Sequence, residues 1–186
     1  MASRVFSIVM CMAIALPAFA VEISGVKFEE QVQPGNLVLN GAGLRKRFFF
    51  QVYAIGLYLP KKTANAEAAI ASPGAKRVAI HMLRNVGAAE FTEALADGIR
   101  ANHSEAEARA HEPQVQALAA IMAEVQEAKK GMVIALDFKA NETHLLIDGK
   151  ARGQPIAGEG FYRALLRIWL GPQPVQDDLK QALLGG

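Results

Sequence analysis

Cysteine is almost absent from this chain: among 186 residues there is one, Cys11, inside an N-terminal apolar segment. A chain processed after that segment has no disulfide, no thiol nucleophile and no cysteine metal ligand. Excess charge of either sign is missing as well. Twenty Lys and Arg face 18 Asp and Glu, for a net charge of +2. The basic residues are scattered apart from Arg45-Lys46-Arg47, which leaves no footprint for nucleic acid. No Gly-x-Ser-x-Gly elbow and no glycine-rich phosphate loop occurs, so hydrolase and nucleotide-dependent chemistries have no support. The four histidines, His81, His103, His111 and His144, are dispersed, with no pair at the i, i+4 spacing of a helical zinc site. Neither a metal nor a cofactor is expected. Beyond the N-terminal segment no apolar run is long enough to span a bilayer as a helix. The run from Phe48 to Leu59 covers 12 positions, against the about 20 required. Internal repeats and low-complexity linkers are also lacking, and 52% hydrophobic with 20% charged residues is ordinary for one globular domain.

The N-terminus reads as a secretory signal over residues 1–20. Arg4 supplies a positive start, Val5 to Leu16 is apolar apart from Ser7, and Ala18-Phe19-Ala20 offers a small-x-small cleavage site. The competing reading, a membrane anchor, suits the short segment less well. Cys11 does not stand at a lipoprotein-type cleavage point. The expectation is therefore a mature domain over 21–186, exported in a bacterium to the periplasm, with no transmembrane span.

Along that domain, Ile23, Val26 and Phe28 mark strands and Pro34-Gly35 a turn. Gly41-Ala42-Gly43 reads as a flexible turn before a long buried strand from Arg47 to Leu59, ended by Pro60. A short helix is expected over Ala64 to Ala71 and a strand over Arg77 to Arg84, with Val78, Ile80 and Met82 on one face. Phe91, Leu95 and Ile99 form one stripe of a helix over Ala88 to Ala101. Val115, Leu118, Ile121, Met122 and Val125 do the same for Pro113 to Lys130, closed by Gly131. The polar stretch from His103 to His111 reads as a loop. Strands return at Met132 to Phe138 and Thr143 to Ile147, and Asp148-Gly149 signals a hairpin to a strand ending near Ile156. Helices then cover Gly160 to Leu170 and Gln176 to Leu184. Strands, then helices, then strands and helices predict an α+β fold: an antiparallel sheet with helices packed on one face.

Two side chains in the first half invite a functional reading. Arg45 precedes an apolar strand that would not tolerate an unpaired guanidinium, so it either meets an anion or snorkels to water. Tyr53 shares a strand face with Phe49, Gln51, Ile55 and Leu57. Its hydroxyl needs a partner, either a ligand oxygen or a backbone carbonyl. A cation beside an aromatic, apolar surface suits a ligand with a greasy body and an anionic head.

Gly41-Ala42-Gly43-Leu44-Arg45, followed by Tyr53-Ala-Ile-Gly-Leu-Tyr-Leu59, resembles the paired signature of the chalcone isomerase family. Phe161-Tyr-Arg-Ala-Leu-Leu-Arg-Ile-Trp-Leu-Gly171, before Asp178-Leu-Lys-Gln-Ala-Leu-Leu-Gly185, resembles the tail of its bacterial, exported branch. The resemblance implies that family's open-faced β-sandwich, with Arg45 holding an anionic substrate oxygen or a fatty-acid carboxylate. At the place of Tyr53 the plant enzymes have threonine, whereas tyrosine resembles the fatty-acid-binding branch. Asn102 matches an asparagine of the enzymes, or is simply a helix cap; Leu95 then stands in place of their tyrosine. Ile168, followed by Trp169, takes the place of a substrate-contacting threonine. Hydrocarbon thus replaces hydroxyls, which speaks against flavonoid chemistry.

The resulting expectation is an apolar cleft binding a small amphipathic carboxylate such as a fatty acid. Arg45 and Tyr53 would be at its head, with Asn102 nearby, and Phe49, Ile55, Leu57, Ile168 and Trp169 along its tail. Two rivals stay open. One is an intramolecular isomerase in which Arg45 stabilises a phenolate or enolate. The other is an envelope protein-interaction module without a small ligand, using the charged middle helices or the tail from Asp177 to Gly186.

Overall fold

The computed structural model describes residues 19–33 and 35–186. The expected signal segment therefore lies outside the described residues except for its last two, and so does Pro34 of the expected turn. Strands β1 (Phe19–Ile23) and β2 (Val26–Glu29) form a separate antiparallel pair. Then follow β3 (Gln31–Val32), β4 (Leu37–Arg47), β5 (Phe50–Leu59), helix α1 (Ala66–Ile70), β6 (Lys76–Met82) and the two-residue β7 (Val86–Gly87). Three helices come next, α2 (Ala88–Ala101), α3 (Glu105–Ala110) and α4 (Glu112–Val125). The chain finishes with β8 (Glu127–Ala128), β9 (Val133–Lys139), β10 (Glu142–Ile147), β11 (Lys150–Ala157), α5 (Glu159–Leu170) and α6 (Asp177–Leu183).

Seven strands make one antiparallel sheet in the order β11-β10-β9-β6-β5-β4-β3. Strand alternation divides its residues between two cores. Ile55, Leu57, Val78, Ile80, Ile134 and Leu136 point toward the helices and join the larger cluster. Ala54, Tyr58 and Ala79 point the other way, under Phe28 of β2. On that second face Arg77 and Asp137 are cross-strand partners joined by two hydrogen bonds of 2.5 and 2.6 Å. The large cluster centres on α5, where Phe161, Tyr162, Leu165, Ile168 and Trp169 are all buried. Such a helix, apolar around much of its circumference, belongs between other elements. It packs against α2, α1, α6 and the sheet.

The expected α+β sheet-and-helix architecture is present, with four local differences. Gly41 to Gly43 is no turn but the middle of β4. A side chain at Gly41 would put its Cβ 2.2 Å from the Ala182 carbonyl oxygen, and one at Gly43 2.6 Å from Leu179 Cδ1. The glycines are a bare track on which α6 lies. The strand expected from Arg47 begins at Phe50, because Phe48 turns the chain at φ 54°. The loop expected over His103 to His111 contains α3, which Ser104 and Glu107 close with reciprocal capping bonds. Helix α4 stops at Val125, not Lys130, since Gln126 adopts φ 65° and turns β8 onto β7.

Candidate functional site

Where β4, β5 and β6 run out beyond the middle of the sheet, α2 and the loop after α5 do not close down completely. A cavity of about 550 Å³ remains, within the usual range for small-ligand sites. Its walls are mostly hydrocarbon: Ile80 and Met82 from the sheet, Phe91 and Leu95 from α2, Ile168 and Val175 from α5 and the loop behind it. The stripe on α2 supplies Phe91 and Leu95 at i, i+4, and Gly98 on the same helix borders the cavity too. A Cβ at Gly98 would come within 2.7 Å of Ile168 Cγ2, so glycine there sets how closely α2 approaches α5.

At one end of this greasy space, polar groups converge. Arg45 and Tyr53 face each other across β4 and β5, which puts their side chains on one face within reach of each other. The indole Nε1 of Trp169 donates to the Tyr53 hydroxyl at 3.0 Å. The oxygen is thereby used as an acceptor, and the hydroxyl keeps its own hydrogen to donate. Burial pushes the Tyr53 phenol above its ordinary pKa, partly offset by the Trp169 bond and the Arg45 charge. It is therefore a neutral donor at physiological pH, not a phenolate base.

Arg45 is held from the far end of the chain. Its Nη1 donates to Lys46 O at 2.5 Å and to Gln176 Oε1 at 3.2 Å. Gln176 in turn accepts from the Lys46 amide at 2.8 Å and donates to Leu44 O at 3.1 Å. One amide side chain thus clips the edge of β4 and orients the guanidinium bordering the cavity. Arg47 and Arg84 also stand at the rim, with Glu90 pairing to Arg47 at 3.4 Å.

Of the residues singled out in the sequence, the structure brings Arg45, Tyr53, Ile168 and Trp169 together around one cavity. Phe49 is not there: it is fully exposed at the tip of the β4–β5 hairpin, because the chain turns at Phe48 and aims the ring outward. Ile55 and Leu57 share Tyr53's face, as expected, but lie deeper, packed into the main core rather than lining the cavity. Asn102 does not border the cavity either. It caps α2 by bonding Gly98 O, and holds the loop after α5 through Gln173 O at 2.8 Å and Gln173 N at 2.9 Å. Gly171 makes room for it. As parts of the site, Gln176, Val52, Met82 and Val175 escaped the sequence reading. Gln176 had no available signal, since its partners lie about 130 residues away in the chain. Among the described residues no group of three His, Cys, Asp or Glu is arranged to hold a metal, and no helix is long and apolar enough to cross a membrane.

A curled antiparallel sheet backed by helices, with an apolar cavity between the layers and cations at its rim, defines an open-faced β-sandwich. A family model described as chalcone isomerase-like matches residues 20–185, and the chain belongs to that family. Among solved structures, the fatty-acid-binding protein of Arabidopsis thaliana superposes with a TM-score of 0.71 at 14% identity, over 87% of this chain and 92% of that one. No curated protein matches.

Proposed function

We propose that the protein binds a small amphipathic carboxylate, of the fatty-acid class, in the cavity between α2, α5 and the sheet, without catalysing its conversion. One observation carries this reading: Arg45 and the Tyr53 hydroxyl, the latter pre-oriented by Trp169, converge at one end of an otherwise hydrocarbon-walled space. An anionic head takes charge-assisted bonds from Arg45 and a neutral one from Tyr53, while an acyl tail lies along Ile80, Leu95 and Ile168. The Arabidopsis protein of the same fold is a fatty-acid-binding protein, which supports the same ligand class. Against ring-closure chemistry stand Leu95 and Ile168, which offer a reacting oxygen or water no hydroxyl, and a tyrosine kept protonated. The N-terminal pattern of residues 1–20 supports export to a bacterial periplasm, with the functional domain starting near Val21.

Native mass spectrometry of protein purified without detergent tests the ligand reading. Wild type is expected to carry a stoichiometric acyl carboxylate, and Arg45→Ala to lose it. An empty wild type that also takes up no added fatty acid would sink the proposal. Cell fractionation with N-terminal sequencing tests export: a periplasmic chain beginning near Val21 is expected, and a cytoplasmic chain retaining Met1 would contradict it.

A further inference from the structure

The β4–β5 hairpin tip is where the described chain bares large apolar side chains in succession. Phe48 is 85% exposed, Phe49 100% and Phe50 61%. Only Val21 is otherwise counted with them among the described residues, at 36%. Consecutive exposed aromatic rings on a soluble surface mark a place that something apolar covers. The backbone sharpens the point. Phe48 sits at φ 54° in a two-residue hairpin connection, a position that glycine or asparagine fills at little steric cost and a phenylalanine does not. Nothing among the described residues covers the ring.

The surroundings indicate what covers the tip. Arg45, Lys46 and Arg47 lead into it, and the Arg84 guanidinium lies 5.2 Å from the Phe50 ring centroid. Lys129 and Lys130 occupy the adjoining turn, where the Gly131 amide bonds to Met82 O. Glu90 pairs with Arg47 at 3.4 Å and Glu127 accepts from Asn85, so part of the charge here is balanced within the fold, while Lys46, Arg84, Lys129 and Lys130 keep the tip's surroundings positive. An apolar tip ringed by cations complements a bilayer surface bearing anionic headgroups. The rings reach the boundary between headgroups and acyl chains, and the Lys and Arg heads meet the phosphates.

We infer that the Phe48–Phe50 tip is a membrane-docking wedge for anionic bilayers. Docked this way, the rim formed by Arg45, Arg47 and Arg84 faces the headgroup layer, so an acyl carboxylate can pass between bilayer and cavity without crossing water. That transfer step rests on the carrier reading above; the docking does not.

The test is co-sedimentation with vesicles of phosphatidylcholine, with and without phosphatidylglycerol, comparing wild type with Phe48→Ser/Phe49→Ser. Both are prepared from the same full chain, so any N-terminal segment is shared. Wild type is expected to bind the phosphatidylglycerol vesicles. The variant should lose roughly tenfold in partitioning for each ring removed, and salt should weaken both. Lys46→Glu/Arg47→Glu should lose the preference for phosphatidylglycerol. Equal sedimentation of wild type and the phenylalanine variant would overturn the inference. So would a wild type that dimerises through the tip and ignores vesicles, as read by size-exclusion chromatography. Titration of the phenylalanine variant with dodecanoate in solution separates the two proposals: retained binding with lost sedimentation is the expected pair. Vesicle binding by a protein that takes up no dodecanoate would remove the carrier reading and leave the wedge.

Discussion

The two ends of the β4–β5 hairpin are built on opposite terms. At the sealed end, Gly41 and Gly43 strip β4 of side chains so that α6 lies directly on it, and the Asn40 amide bonds Leu183 O at 2.7 Å and Thr63 O at 3.1 Å. At the other end the same two strands carry Arg45 opposite Tyr53, border unfilled space, and finish in exposed phenylalanines. The contrast separates stability from function along a single hairpin. Contacts that hold the fold concentrate where side chains are absent, and groups able to recognise a ligand stand where close packing stops.

That division can be broken most severely from the sealed end. Gly41→Val would drive Cβ into the α6 backbone, which cannot yield as a side-chain tip would. A loss of about 3 kcal/mol or more in denaturant unfolding is expected. Replacing a cavity-rim residue of similar sequence distance should do no such thing. Arg45→Ala should shift unfolding by under about 1 kcal/mol, yet weaken carboxylate binding by tenfold or more, the equivalent of a lost charge-assisted hydrogen bond of about 1.5–3 kcal/mol. If the same substitution unfolded the protein, the two ends would not be separable.

Trp169→Phe sharpens the comparison within the open end. Without the indole donor the Tyr53 hydroxyl loses one of the two groups that orient it, Arg45 being the other. Affinity for a fatty acid should fall a few-fold, and the Tyr53 phenol pKa should rise further, because a bond that lowers it is gone. Ultraviolet titration of the tyrosines reads the second effect. A smaller effect lies on the face behind the sheet, where His81 stacks edge-on against Phe28 at 5.1 Å. Burial lowers the His81 pKa, and burial also lowers that of His111 at the α3–α4 junction. Both are neutral in the fold and protonate more readily once unfolded. Stability should therefore be level above pH of about 6.5 and fall as pH drops below it through the folded-state pKa values. His81→Gln should flatten part of that fall in a series of urea midpoints.

Much of this organisation was legible in the chain. The stripe Phe91-Leu95-Ile99 placed α2 with its boundaries intact, and Asp148-Gly149 announced the β10–β11 hairpin, both residues taking positive φ. These are local signals, and local physics decides them. One error, at Gly41 to Gly43, falls where a distant element decides instead; those at Phe48, at Ser104 with Glu107 and at Gln126 are local, set by a positive φ or a capping box. Gly41 and Gly43 look like a turn until α6, some 140 residues on, is laid over them. Phe49 looks like a lining residue of the cleft until Phe48 turns the chain, against its own steric preference. For the site, strand alternation put Tyr53 on the right face but could not say how deep Ile55 and Leu57 would lie. The Gln176 clip on Arg45 has no sequence signal, because it depends on the closed fold.

The central claim is that the open end recognises a carboxylate and not merely a hydrocarbon. Calorimetric titration of delipidated protein with dodecanoate and with its methyl ester, in wild type and in Arg45→Ala, tests it most directly. The account predicts one dodecanoate per chain, bound at least about tenfold tighter than the ester by wild type, with that preference abolished in Arg45→Ala. Equal affinity for acid and ester in wild type, or an acid preference that survives the loss of Arg45, would contradict it.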